Sequence, residues 1–333
     1  MDKNKYEPVL IGIDKNGIWY LDSKFQLEDN KSKRSLNISN REVAPIQAKD
    51  SNNLIDIHTH KTIERIDVAF PVLHGPYGED GSIQGLFEVA NIPYIGADVI
   101  GSSIGMDKDV MKRLLRDSGM PIAKFLSFTN QSIGKIQFNE IKEKIGLPMF
   151  IKPANLGSSV GINKVKNSKE FERAIKVAFK YDKKILIEEF IEGREIECSV
   201  LGNDSPIASL PGEIILNSEF YSYEAKYIDE NGAILDIPAK LPEGATKKIQ
   251  EYSVEVFKIL CCQGMARVDF FLKDNMEIIV NELNTIPGFT NISMFPRLWE
   301  ASGLTYSELI NRLIELAIDK FEKRQKLQIE KND

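Results

Sequence analysis

A lysine that ends an apolar strand and opens a loop of small residues can hold a phosphate. Met149-Phe150-Ile151-Lys152 is followed by Pro153-Ala154-Asn155-Leu156-Gly157-Ser158-Ser159-Val160-Gly161. Glycine lets backbone amides approach an anion closely, and the ammonium adds a point charge. No Gly-Lys-Ser/Thr follows, so this is not a Walker A loop, and no Gly-x-Gly-x-x-Gly opens a helix elsewhere, which leaves a dehydrogenase without support. The competing reading is a hairpin loop with ordinary turn glycines.

A second pattern gathers oxygen ligands. Arg267-Val268-Asp269-Phe270-Phe271-Leu272 and Glu277-Ile278-Ile279-Val280-Asn281-Glu282-Leu283-Asn284 flank a turn near Asp274 and Asn275, which brings Asp269 close to Glu282 across the ladder. Glu282 and Asn284 are two apart and share a face. Two carboxylates buried together are costly unless a cation compensates, and hard oxygen donors suit magnesium with nucleotide phosphates completing the shell. The alternative is a solvated sheet face with scattered acids. Glu188 to Glu195 form a third segment, a strand running into a linker, which suits adenine and a ribose hydroxyl; acid-rich turns are common, so the signal is weak alone. His74-Gly75-Pro76-Tyr77-Gly78-Glu79-Asp80-Gly81 follows an apolar run and leads into a helix, where α/β proteins place ligands. His58 and His60 have metal-like spacing but lie in a polar stretch and read as surface.

Strands and helices must position these groups. Expected strands cover 8–13, 18–21, 66–73, 93–95, 149–152, 161–165, 185–189, 197–201 and 207–215, and a hairpin covers 267–284. Expected helices cover 81–90, 107–117, 169–179 and 245–261, and a last one begins at Thr305 with a Thr305/Glu308 capping box. On 107–117 the apolar face is Val110, Met111, Leu114 and Leu115. Residues 22–53 read as a polar, variable surface region, and 217–239 as a polar loop. The early alternation of strand and helix points to an α/β layer with a parallel sheet.

The chain has 333 residues, enough for two or three domains. Its 43 Lys and Arg against 49 Asp and Glu give a net charge of −6, which argues against a general affinity for nucleic acid or anionic membrane. Three cysteines make no disulfide framework, no apolar stretch nears the roughly 20 residues of a membrane span, and the start lacks a signal-peptide core. A reduced, cytoplasmic protein follows from these.

Four segments occur in the order of one family: HGPYGEDGSIQG, MDKDVMK, IKPANLGSSVG and ARVDFFL…NELNTIPGFT. Together they resemble the D-alanine–D-alanine ligases of the ATP-grasp superfamily, from Tyr6 to about Ala317. The resemblance implies an amino-terminal parallel α/β domain (1–104) and central (105–195) and carboxy-terminal (196–333) domains that sandwich ATP. It implies that Lys108 and Lys152 bind ATP phosphates, that Glu188, Ile191 and Glu195 line the adenosine pocket, and that Lys226 reaches the γ-phosphate. Asp269, Glu282 and Asn284 would hold two magnesium or manganese ions. Arg267 and the Gly288 amide would stabilise an oxyanion, Ser293 and Met294 would receive the second substrate's carboxylate, and His74 would lie by the amino-acid site. Ser158 and Tyr227 would latch the loop 217–239.

The implied reaction phosphorylates the carboxylate of one D-alanine, and the acyl phosphate is then attacked by the amine of a second, for peptidoglycan precursor synthesis. Tyr227 in Tyr223-Glu224-Ala225-Lys226-Tyr227 favours the dipeptide, since relatives that use D-lactate commonly carry histidine there. A homodimer is also implied. Members of the family normally begin with a block reading roughly G-G-x-S-x-E-H-E-V-S. That block has no counterpart ahead of Tyr6, nor has its substrate-binding glutamate, and the expectation is a first domain lacking a core strand. A nucleotide-binding remnant unable to ligate, and a ligase variant that joins D-alanine to D-lactate or D-serine, are the competing expectations.

Overall fold

Strands with one apolar and one polar face build the sheets of the molecule, because residues two apart share a face and only one face can join a core. The computed structural model describes residues 2, 4–21, 41–48, 51–157, 160–216, 233–290 and 292–327. The first part holds β1 (Ile11–Ile13), β2 (Trp19–Leu21), β3 (Val43–Ala48), β4 (Ser51–Asp56) and β5 (Thr62–Arg65). Helices α1 (Ser82–Val89), α2 (Val99–Met106) and α3 (Lys108–Asp117) follow. Then come β6 (Phe125–Thr129), α4 (Phe138–Ile145), β7 (Met149–Pro153), β8 (Asn163–Val165), α5 (Ser168–Ala178) and β9 (Lys184–Glu189). The last part holds β10 (Arg194–Gly202), β11 (Ile207–Ala208), β12 (Gly212–Leu216) and β13 (Ala233–Asp236). It closes with α6 (Glu243–Ile259), β14 (Gly264–Leu272), β15 (Ile278–Asn284), α7 (Met294–Ala301) and α8 (Tyr306–Gln325).

Among the described residues the strands form antiparallel sheets: β1-β2, β3-β4-β5, β6-β9-β7-β8, and β13-β12-β10-β14-β15 with β11 on β10. The parallel sheet expected for the first domain is therefore not what these residues show. Its traces are one parallel bridge, Ala69 to Tyr94, with Ala69 N donating to Pro93 O and Ile95 N to Ala69 O. Residues 66–73 form no regular strand, and Val72 is 53% exposed. Residues 22–53, read as irregular surface, contain β3 and the start of β4; Val43 is buried there, as is Leu54 just beyond, although Pro45 and Asn52–Asn53 argue against strand. The expected strand 207–215 breaks in two at Ser209 to Pro211.

Two cores carry the site. Met149 and Ile151 of β7, Ile185 and Ile187 of β9 and Val165 of β8 pack on Ile141 of α4 and Phe171 and Ile175 of α5. Ile196, Cys198 and Val200 of β10 and Ala266, Val268, Phe270 and Leu272 of β14 pack on Ile249, Val256 and Phe257 of α6. A bulge re-phases the partner strand β15: Asp269 faces Glu282, but Phe270 faces Val280, leaving Asn281 as the extra residue. That one residue lets Ile278, Val280 and Leu283 all reach the core while Glu282 and Asn284 share the opposite face. The capping box opens α8 as expected, with Glu308 N donating to Thr305 Oγ1 and Thr305 N to Glu308.

Candidate active site

Helix α3 lies where the polar faces of the two larger sheets meet. Its Asp107 N-cap accepts from the amides of Asp109 and Val110, and Lys184 of β9 reaches both Asp107 (2.6 Å) and Asp109 (3.3 Å). Met111 and Leu115 anchor the helix in the carboxy-terminal core, while Val110 is exposed at 36%. The apolar face expected for 107–117 is thus displaced: Lys108 and Lys112, one turn apart, lie on the buried side. Lys108 Nζ stands 3.3 Å from Glu282 of β15 and donates to Leu156 O at 2.9 Å. Lys112, fully buried, pairs with Glu188 of β9.

Glu188 is shared. In the β7/β9 ladder Phe150 faces Glu188 and Lys152 faces Leu186, so Lys152 and Glu188 are diagonal neighbours on the polar face. One carboxylate oxygen meets Lys112 and the other Lys152. Burial works to raise the Glu188 pKa, but the two lysines outweigh it and hold the carboxyl below its usual value. Burial pushes the Lys112 ammonium down; Glu188 opposes that and Lys152 adds to it. After β7 the chain turns at Gly161, whose φ of +74° and close neighbours (Pro153 Cγ would lie 2.8 Å from a Cβ) exclude a side chain. Ile191 and Glu195 lie in and just beyond the linker from β9 to β10, both half-buried.

On the carboxy-terminal sheet, Glu197 faces Asp269 across β10/β14, and Asp269 faces Glu282 across β14/β15. Arg267 donates to both oxygens of Asp269 (2.7 and 2.8 Å) and stands 2.8 Å from Glu197. Burial works against its charge, but Asp269 and Glu197 raise its pKa well above the usual value. Asn284 donates to Asp269 at 2.9 Å. The structure therefore gathers Lys108, Lys152, Glu188, Arg267, Asp269, Glu282 and Asn284 around α3. Among the described residues no group of three or more His, Cys, Asp or Glu is arranged to hold a metal. Two carboxylates and an amide remain an oxygen-only set, which fits a hard divalent cation whose other ligands are phosphate and water oxygens.

The loop after β15 supplies the rest. A Cβ on Gly288 would meet Ser293 Oγ at 2.9 Å, so the backbone approaches that hydroxyl closely. Thr290 N donates to Ser293 Oγ at 3.0 Å, and Ser293 is the N-cap of α7. The Met294 side chain is buried against Ile214 and Leu298, so only its backbone amide, in the first turn of α7, is placed to meet a carboxylate. Tyr306 OH holds Phe289 O at 2.9 Å. His74 Nδ1 lies 3.1 Å from Ile286 O. Ser158, Lys226 and Tyr227 lie outside the described residues. Three charged side chains in this cluster escaped the sequence reading: Lys112, Glu197 and Glu79. Burial raises the Glu79 pKa against the pull of its Gly75 amide donor, His74 and Lys108. Glu79 and Lys112 sat inside segments already singled out, HGPYGEDGSIQG and MDKDVMK, and Glu197 is two residues from Glu195; none of the three was given a role.

Comparison with known proteins gives matches across the same elements. The family model described as "D-ala D-ala ligase C-terminus" matches residues 114–315, and "D-ala D-ala ligase N-terminus" matches residues 1–97. A D-alanine–D-alanine ligase of Oceanobacillus iheyensis is 51% identical over 336 aligned residues, covering 100% of this chain and 92% of its own length. Among solved structures, the D-alanine-D-alanine ligase from Coxiella burnetii superposes with a TM-score of 0.83 at 38% identity, covering 98% of this chain and 89% of that one. The VanG D-Ala:D-Ser ligase from Enterococcus faecalis does so with 0.82 at 35% identity, covering 95% and 91%.

Proposed function

Because this chain belongs to the D-alanine–D-alanine ligase family, we infer that it joins two D-alanines into D-alanyl-D-alanine at the expense of ATP, for peptidoglycan precursor synthesis. The observation that carries the mechanism is the meeting, at α3, of a lysine-rich sheet face with an acid-rich one.

Lys108 and Lys152 bind the ATP phosphates, with Lys226 on the γ-phosphate, and Glu188, Ile191 and Glu195 line the adenosine. Asp269, Glu282 and Asn284 would hold two magnesium or manganese ions, which when bound would neutralise phosphate charge. A carboxylate oxygen of the first D-alanine, beside His74, attacks the γ-phosphorus, and ADP leaves. The amine of the second D-alanine attacks the acyl carbon; its carboxylate is held by Ser293 and by the Met294 amide at the α7 N-terminus. The oxyanion that develops is met by Arg267 and the Gly288 amide until phosphate departs and the amine gives up its proton. An acyl phosphate hydrolyses in water, so Ser158 and Tyr227 latching the loop 217–239 serve to exclude it.

Among the described residues no helix is long and apolar enough to cross a membrane. We place the enzyme in the cytoplasm and as a homodimer, which sedimentation would test. Because a D-Ala:D-Ser ligase shares the fold at 35% identity, the fold does not choose the second substrate; Tyr227 favours D-alanine. The test is phosphate release from ATP with magnesium, with D-alanine alone and with added D-serine or D-lactate, and with the products identified. D-alanyl-D-alanine as the main product supports the reading. A mixed product assigns another second substrate, and ATP binding without D-alanine-dependent release identifies a remnant that cannot ligate.

A further inference from the structure

We propose that Lys112 is a positioning residue for nucleotide binding: it holds Glu188 from the buried side, so that Lys152 is left available to an incoming phosphate. The inference rests on Lys152 being a phosphate ligand.

Three charges share a dry space. Lys112 is fully buried, Glu188 is 3% exposed and Lys152 8% exposed, and the one carboxylate touches a lysine with each oxygen. Two cations on one anion leave a surplus positive charge. Only Lys152 stands at the end of β7, where the small-residue loop begins; Lys112 projects from α3, which Met111 and Leu115 fix in the core. A phosphate can therefore engage Lys152 and not Lys112. When it does, the surplus is neutralised, and Lys112 and Glu188 remain as a one-to-one pair.

Without Lys112 the balance reverses. Glu188 would hold Lys152 as its sole cation, and a phosphate taking that lysine would leave a buried carboxylate uncompensated, which is strongly unfavourable. Glu188 would then compete with the nucleotide. Lys112 touches neither the nucleotide nor the substrates in this account; it acts through Glu188.

The test is ATP affinity, measured by calorimetry with magnesium and no D-alanine, for wild type, K112M, E188Q, the double variant and K152M. K112M should weaken ATP binding by about tenfold or more. The double variant should bind within about threefold of E188Q, because a neutral amide no longer competes for Lys152. In turnover, K112M should raise KM for ATP far more than it lowers kcat. K112Q, which keeps polarity and approximate length, serves if K112M does not fold. Wild-type affinity in a folded K112 variant overturns the proposal, as does a double variant in which the two losses simply add. If K152M binds ATP as wild type does, the placement of Lys152 at a phosphate fails and this inference fails with it. If K152M is weakened and K112M is not, the phosphate site stands and only the role of Lys112 falls.

Discussion

The two sheet faces that meet at α3 carry opposite charge imbalances. On the β7/β9 side, Lys112 and Lys152 share the single carboxylate of Glu188. On the β10/β14/β15 side, Glu197, Asp269 and Glu282 are set against Arg267, with Lys108 lent across from α3. A surplus of buried cation favours an anion and a surplus of acid favours a cation, so the first face suits phosphate and the second suits metal. The difference teaches that the site is two half-built ion clusters. A metal–nucleotide complex would supply the missing charge of each.

The largest break comes at Arg267, which balances the acid face and is proposed above to meet the developing oxyanion. Arg267→Ala should cut kcat for dipeptide formation by on the order of 10²–10³-fold through loss of the oxyanion donor. It should also destabilise the fold by about 3–5 kcal/mol, since Glu197 and Asp269 lose their buried partner. Stopped-flow or coupled assays give the first effect and denaturant unfolding the second. A variant that unfolds more easily yet turns over normally would leave Arg267 a structural ion pair and remove the catalytic half of the contrast.

That contrast was partly legible in the sequence. The turn near Asp274 sets the pairs from Leu272–Ile278 to Phe270–Val280, because few residues separate the two strands and a hairpin has little freedom; that brings Asp269 near Glu282, and the bulge then sets them opposite each other. Thr305 and Glu308 announced their own helix start. The burial of Lys112 was invisible although the residue closes MDKDVMK, since a lysine on an amphipathic helix normally marks the wet side, and only tertiary pairing with Glu188 reverses that. The bulge at Asn281 was invisible as well: both alternations, before and after it, are locally regular, and only the core shows the slip. Strand β3 hid behind Pro45, and 66–73 looked like a strand on its apolar content, although a strand needs a ladder and only Ala69 finds one.

Metal removal probes the acid face alone. Chelation should abolish D-alanine-dependent phosphate release, and magnesium or manganese should restore it. Asp269→Asn should raise the metal concentration needed for half-maximal rate by about 10–100-fold, the range that loss of an oriented carboxylate contact produces. The β7/β9 face should keep its own character: nucleotide affinity of D269N without metal should stay near that of wild type without metal. Full activity in chelator would break the comparison at its acid end.

A lysine outside the site shows what happens without a carboxylate in contact. Lys320 of α8 donates to Gly96 O at 2.7 Å and lies 3.9 Å over the Tyr94 ring. Burial pushes its pKa down to about 8, against the through-space pull of Asp98 and Glu88, while Arg324 adds to the fall. Between about pH 8 and the ordinary lysine value the unfolded chain binds the extra proton, so this group's contribution to stability rises as pH climbs through that window. Unfolding free energies of wild type minus K320M should therefore increase from pH 8 toward pH 10. A flat difference would mean that Lys320 is better solvated than its surroundings suggest.

The smallest effect belongs to the cap of α8, which sits behind the acceptor loop. Thr305 accepts from Glu308 N, and the Glu308 carboxylate accepts from the Thr305 hydroxyl and the Thr305 amide, which together hold it below its usual pKa. Thr305→Ala should cost about 1 kcal/mol of unfolding free energy. The helix is also fixed by Leu309, Leu313 and Ile314 in the core and by Tyr306 on Phe289 O, so fraying of the first turn should not reach Gly288 or Ser293. Turnover and metal requirement should match wild type while the melting temperature falls by a few degrees. A changed KM for D-alanine would instead show that the cap tunes the acceptor loop. The division into two charge clusters would then have to be widened to include α8.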